Sequence, residues 1–566
     1  MSKSNTAPSY KRRTNKDWEQ QGNAWLSLPD NSLQFIRTAE AMSYQLVLLG
    51  QLYEKMSNNE MLDRCLNYIN NSKRKFAEPA GHYIAFVIDK TNGETHVFTN
   101  RLGTYHAYWS EELGNNAIST SYFALAKNRK DKKLDWEGIT GFLAMGYFPD
   151  DSSYLQGIKI FEPASYYHFD SRLQLKQKTR YWDWTYEPVY KPSIEYISNL
   201  HWIIEQSLSV SAENRRVVIP ISGGLDSRML TGALTEGIHY KSLKAFSYGY
   251  TDTSPELKIA KQVADSRAIE IHAYTMPNYL FDKLDTITEA VELFQYVDGT
   301  RQASAEEWLR ENSDVVVGGH WGDVWMDSAH ITNENELQNA FGTKIIKRGS
   351  DWLLKNVCVT QINNSERLLQ DYFYRFTNKY SHIDDVDFRF KIYKTDQWSF
   401  RWTVASLRMY QQAAFPILPF YDSRLVDLFC NIPTSTVCNR ALQVEYIKQY
   451  YKKLAKIKWQ EYDADLYTYK WMNNRNLAYR AAKKLQRTVS SEKTIQRNWE
   501  VFFMTLHGRQ QIETHLLNNR TLNEIVPVQK TEELINDFYR KPTAAGGYTI
   551  SMLLTFALFL EKIFES

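Results

Sequence analysis

Val217-Val218-Ile219-Pro220-Ile221-Ser222-Gly223-Gly224-Leu225-Asp226-Ser227-Arg228 joins an apolar run to a glycine turn, an acid and a helix start. The five apolar residues Val217 to Ile221 are rich in β-branching and short, which predicts a buried parallel strand. Two glycines then let backbone N–H groups approach an oxyanion, with Ser222 and Ser227 as hydroxyl donors. Met229 to Leu234 continue as a predicted helix whose N-terminus favours negative charge. Asp226 is the unusual member. A carboxylate inside an anion-binding turn makes sense mainly if Mg²⁺ stands between it and phosphates. Taken alone, the stretch also allows an ordinary strand-turn-helix corner in which Ser222 and Asp226 cap a helix.

At 566 residues the chain is too long for one core and implies two to three domains. Lys plus Arg exceed Asp plus Glu by only 68 − 65 = 3, which argues against nucleic acid as the main partner. Residues 1–35 read as a basic, solvated tail around Lys11, Arg12, Arg13 and Lys16. Cys65, Cys358, Cys430 and Cys438 show no C-x-x-C spacing; they suit a reducing, cytoplasmic setting and offer no zinc site. No 18 consecutive apolar residues occur, so no membrane partner is expected, and Ile550 to Leu560 read as a buried helix.

Residues 36–190 carry short alternating segments with turns between them, such as Tyr83 to Asp89, Thr91-Asn92-Gly93, then His96 to Thr99. This predicts a β-rich first domain. From 195 to 566 helical periodicity alternates with isolated apolar strands, which predicts an α/β domain with a parallel sheet and a helical C-terminal part. Lys244 to Ser247 reads as its second strand, Ser254-Pro255-Glu256 as a helix cap with proline at the first position, and Val315 to Val317 as a third strand. That third strand ends at Gly318-Gly319-His320-Trp321-Gly322-Asp323. Ligands of doubly wound sheets bind at the carboxyl ends of strands, so the three strand ends should face one pocket.

S-G-G-L-D-S at 222 to 227 resembles the N-type ATP pyrophosphatase motif, whose enzymes split ATP between the α- and β-phosphates. With Phe246 to Gly249, Gly319 to Asp323 and Pro419-Phe420-Tyr421-Asp422 in this order, the chain resembles the asparagine synthetase family over roughly residues 40 to 475. The resemblance implies a parallel-sheet, adenine nucleotide α-hydrolase-like synthetase domain preceded by an Ntn-like αββα domain. It also implies that Asp226 and Asp323, 97 positions apart, hold Mg²⁺ on the pyrophosphate of ATP. Ser222, Gly223, Gly224, Leu225 and Ser227 would cradle phosphates, with Phe246, Gly318 and Gly319 along the adenosine. The first domain resembles a class II glutamine amidotransferase in Gly81 to Asp89, Arg101-Leu102-Gly103 and Gly157-Ile158. It departs from that pattern where chemistry would sit. The chain reads Met1-Ser2-Lys3 where these glutaminases carry an N-terminal cysteine, and Leu49-Gly50 where they carry asparagine-glycine. Glutamine hydrolysis is therefore not expected.

Amide formation from an adenylate needs a deprotonated amine and positive charge near the acyl carbon. His320 stands where asparagine synthetases have glutamate and β-lactam synthetases a tyrosine base; base and bystander roles both stay open. Lys470, within Tyr467-Thr468-Tyr469-Lys470-Trp471, is the expected catalytic lysine, with Lys456 and Lys458 as alternatives. Trp321 and Val324 replace a small residue and a glutamate, which puts aspartate in doubt as substrate. The expectation is an ATP-dependent, AMP-forming ligase joining the carboxylate of a natural product, peptide or surface glycan to an amine. It is similar to β-lactam synthetases and lasso-peptide cyclases in lacking the glutaminase cysteine. A homodimer and a separate nitrogen-donor protein stay open as partners. An ammonia-dependent asparagine synthetase and a silent ATP-binding scaffold are the alternatives.

Overall fold

The computed structural model describes residues 18–21, 24–27, 35–71, 75–112, 115–234, 237–474 and 497–565. The tail reading for residues 1–35 falls mostly outside these. A hairpin of β1 (Trp18–Gln21) and β2 (Ala24–Ser27) comes first. Six strands then assemble into one antiparallel sheet: β3 (Ile36–Ala41), β4 (Tyr44–Leu52), β5 (Gly81–Asp89), β6 (Thr95–Thr99) and, after three short strands, β10 and β11. The short strands are β7 (Tyr108–Ser110), β8 (Ala117–Ser119) and β9 (Ile158–Ile160); β10 is Ser165–Phe169 and β11 is Leu175–Arg180. The large sheet runs β11-β10-β6-β5-β4-β3 and the small one β8-β7-β9.

Alternation along β4 explains the layering. Leu46 and Leu48 point to a core under the helix Asn58–Asn70, which carries Cys65, while Val47 and Leu49 point to a second core against Trp109, Ile118 and Phe161 of the small-sheet side. The helices Tyr122–Asn128 and Trp136–Met145 cover the far side of the small sheet. The sequence of layers is helix, sheet, sheet, helix, as the resemblance implies. Gly50 is obligatory in β4, because its φ is +122° and a Cβ would lie 2.1 Å from the His82 carbonyl oxygen.

The second unit is a five-stranded parallel sheet: β12 (Arg216–Pro220), β13 (Ser242–Gly249), β14 (Glu270–Thr275), β15 (Val315–Val317) and β16 (Phe415–Ile417). Its order is β14-β13-β12-β15-β16, with every neighbour parallel. Val217 to Ile219 and Val315 to Val317 are wholly buried, the reason these runs lack polar alternation. From β12 the chain steps outward through β13 to β14, whereas β15 and β16 lie on β12's other side. The order therefore reverses between β12 and β15, where a crevice opens beyond the strand ends.

Two local expectations are corrected. The helix after the glycine loop begins at Leu225 rather than Met229, which puts Asp226 in its first turn. Helix Pro255–Ser266 has proline at its first position as expected, but the Ser254 side chain makes no cap bond there. The C-terminal helix Ala544–Leu560 is buried along Ile550 to Leu560. By length and composition Ala544–Glu565 could cross a membrane, yet 78% of its most apolar window is buried in the protein. Phe559 stacks on Tyr154 at 3.8 Å between centroids, so this helix closes a core shared with the first unit.

Candidate active site

The glycine loop leaves the end of β12 and its own groups shape it. Ser222 N–H donates to Ser227 Oγ at 3.1 Å, and Gly224 N–H donates to Ser222 Oγ at 3.3 Å. A Cβ on Gly223 would lie 2.2 Å from Gln460 Oε1, so the segment after Lys458 closes onto the turn, with Gln460 N–H donating to Gly223 O at 3.3 Å. Arg228, fully buried, anchors that segment: its guanidinium donates to Ile457 O at 2.8 Å and Lys458 O at 2.6 Å. The second loop leaves β15. Gly322 packs so closely that a Cβ there would be 2.8 Å from Asp226 Oδ1.

These loops, with the end of β13, wall a cleft of about 810 Å³. Ser222, Gly224, Leu225, Asp226, Ser227, Phe246, Gly319, His320 and Asp323 all line it, while Gly223 and Gly318 lie behind the lining. Leu225 is itself wholly buried and also anchors the loop to the core. Asp226 Oδ1 accepts from Arg440 at 3.0 Å and from Gln443 at 2.8 Å. Burial raises the Asp226 carboxyl above its usual range, Arg440 opposes this, and the nearby Asp323 charge adds to it. Two acids that destabilise each other beside a phosphate-type loop fit a hard cation with oxygen ligands such as Mg²⁺.

His320 is not an ordinary imidazole. Burial first, then the Arg301 charge, lower it to about 4, although Asp323 pulls the other way. Its Nδ1 is buried without a hydrogen-bond partner. In the free protein the ring is neutral at pH 7, an acceptor facing the cleft rather than a group poised to hold a proton.

Lys470 is not brought to the cleft. Its side chain is exposed, with Nζ 5.9 Å from the Tyr469 ring centre. Lys458 is likewise outward, 3.3 Å from Asp463 and 62% exposed, although Trp459, Gln460 and Glu461 beside it line the cleft. The cations that line it are Arg301, Lys394 and Arg440. Lys394 opens a π-helical stretch, Lys394–Thr403, whose wide turn of about 4.4 residues puts Lys394, Trp398 and Trp402 on one face. Lys394 Nζ stands 5.6 Å from the ring centres of both Trp321 and Trp398. Trp321 holds φ +76°, unusual for a bulky residue, and its indole N–H donates to Thr395 Oγ1 at 3.1 Å. Sequence reasoning missed Lys394, Trp398 and Trp402 because residues 330 to 400 show only generic helical spacing; the i, i+4, i+8 run of one cation and two tryptophans was the available signal.

The parallel sheet thus carries S-G-G-L-D-S at the end of one strand and Asp323 beyond the end of the next. Residues 208–391 match the model of the family described as asparagine synthase. A protein of Methanocaldococcus jannaschii, provisionally named a glutamine-hydrolysing asparagine synthetase, is 24% identical over 282 residues. That match covers 47% of this chain and 53% of the relative, about half of each. Among solved structures, the U34-tRNA thiolase of Methanococcus maripaludis is similar at 14% identity and TM-score 0.23, over 56% of this chain and 86% of that one. The glutamine-dependent NAD⁺ synthetase of Acinetobacter baumannii is similar at 14% identity and TM-score 0.18, over 36% and 35%.

Proposed function

We propose that the protein adenylates a carboxylic acid with ATP, releasing pyrophosphate, and transfers the acyl group to an amine, releasing AMP. The observation that carries the reading is the meeting of Asp226, Asp323 and the 222–227 loop in one cleft with Phe246. Asp226 and Asp323 would hold Mg²⁺, which screens the phosphate charges and helps pyrophosphate leave. The loop N–H groups and the first turn of helix Leu225–Leu234 orient the phosphates. Lys394 and Arg440 face the cleft and can balance charge on the acyl group as it becomes tetrahedral; Lys470 is set aside on its placement. Neutral His320 can accept a hydrogen bond from the amine and orient its lone pair.

The wall of Trp321, Trp398 and Trp402 suits an acid bulkier than aspartate, such as a natural-product, peptide or glycan carboxylate. The first unit would act as a scaffold without glutaminase activity. Supporting this, Leu49 is buried in its core beside Gly50, and the Cys65 thiol is wholly buried, with its pKa pushed upward by desolvation. Nitrogen would then come from ammonia, from a separate donor protein or from an amine on the substrate.

Exchange of labelled pyrophosphate into ATP, screened over candidate acids with Mg²⁺ present, tests the reading. Acid-dependent exchange is expected; absence of exchange with every acid, under conditions where a family relative exchanges, would overturn it.

A further inference from the structure

On the antiparallel pair β6 and β10, His96 stands directly opposite His168. Tyr166, two residues before His168 on β10, projects to the same face, and Glu94 immediately precedes β6, two residues before His96. That face is the one covered by helix Asn58–Asn70, where Val87, Phe98 and Tyr166 form an apolar core. Glu94, His96 and His168 sit at its polar end.

One ligand atom from each of these three residues lies within 4.8 Å of the others. His96 is buried, and its Nδ1 is 2.8 Å from Tyr166 Oη, which fixes the ring and leaves Nε2 as the ligating atom. His168 Nε2 is 3.2 Å from Glu94 Oε2, an ion-pair distance for a protonated ring, and makes no hydrogen bond. A neutral imidazole nitrogen and a carboxylate oxygen at this distance can both serve as ligands of one cation. The two imidazole ring centres lie 4.6 Å apart with 17° between their planes.

We propose that Glu94, His96 and His168 bind a borderline divalent transition metal of the Zn²⁺ type, clipping β6 to β10. Two imidazoles and one carboxylate favour such an ion over Mg²⁺ or Ca²⁺. Glu94 and His168 are half-buried, which leaves a route for the ion from solvent. The site lies on the first unit's sheet, and the inference does not rest on the ligase reading.

The test uses the full chain stripped with EDTA and returned to buffer holding excess Mg²⁺, so that Asp226 and Asp323 do not compete for the probe. Zn²⁺ is titrated by calorimetry, and Co²⁺ by its visible absorption. One Zn²⁺ equivalent is expected, weakened at least about tenfold by His168→Ala and also weakened by Glu94→Gln. Both changes are at half-buried positions, and circular dichroism confirms that the variants fold. His96→Ala should abolish the Co²⁺ spectrum. Absence of Zn²⁺ binding to the wild type, or affinity unchanged in both His168→Ala and Glu94→Gln, would overturn the proposal.

Discussion

Replacing Asp323 with asparagine should cost activity and spare or slightly raise stability, a pairing that an ordinary structural residue would not produce. Asp226 is 21% exposed at its side chain, bonded to Arg440 and Gln443 through one oxygen, and held above the usual carboxylate range partly by Asp323. Two unit charges roughly 5 Å apart repel by about 3 kcal/mol at an effective dielectric of ~20. Asp323 is exposed to the cleft and Arg440 lies against Asp226, so solvent and counter-charge reduce this, and the relief in Asp323→Asn is at most about 1 kcal/mol. The loss is larger. An amide cannot replace an anionic oxygen toward Mg²⁺ and phosphate, and removal of one preorganised electrostatic contact costs on the order of 3 kcal/mol, or about 10²-fold in rate. Pyrophosphate–ATP exchange at varied Mg²⁺ reads the first effect, with the deficit greatest at low Mg²⁺, and urea midpoints read the second. Exchange within about threefold of wild type, or a clearly lowered midpoint, would refute the two-carboxylate reasoning.

Other expectations follow from the same geometry. Lys394→Ala should lower amide formation roughly tenfold or more, whereas Lys470→Ala, an exposed change, should leave it within about twofold; steady-state AMP release distinguishes them. Acidification should destabilise the fold between about pH 6.5 and 4. His82, at about 3, and His96, at about 4, are lowered by burial, so the folded chain binds fewer protons there than the unfolded chain. Each such ring removes up to about 2 kcal/mol by pH 5, and His82→Phe should reduce the difference between denaturant midpoints at pH 7 and pH 5. Phe559→Ala, at the wholly buried stack on Tyr154, should cost about 3–5 kcal/mol in a denaturant titration.

Much of the site was legible locally. Paired glycines with Ser222 and Ser227 around them mark the turn, and β-branched runs specify the strands at 217 and 315. Local pattern did not reveal that Lys470 faces outward while Lys394 faces inward, because both lie in helical stretches and orientation there depends on what packs against each face. Nor could an ordinary imidazole at position 320 be corrected in advance. Its shift comes from burial and from Arg301, which reaches the cleft from another element.

By itself the sequence determined the strand-turn-helix at 217 to 234 and the presence of two acids at strand ends, because short-range sterics and apolar period decide such features. Only the tertiary structure decided that those acids meet. The sheet order places β15 beside β12 rather than beyond β14, so two loops 97 positions apart share one crevice, and long-range strand pairing is not written in local sequence. It also replaced Lys470 by Lys394 as the lysine facing the cleft and added Trp398 and Trp402 to its wall, through a π-helical stretch whose register only packing selects.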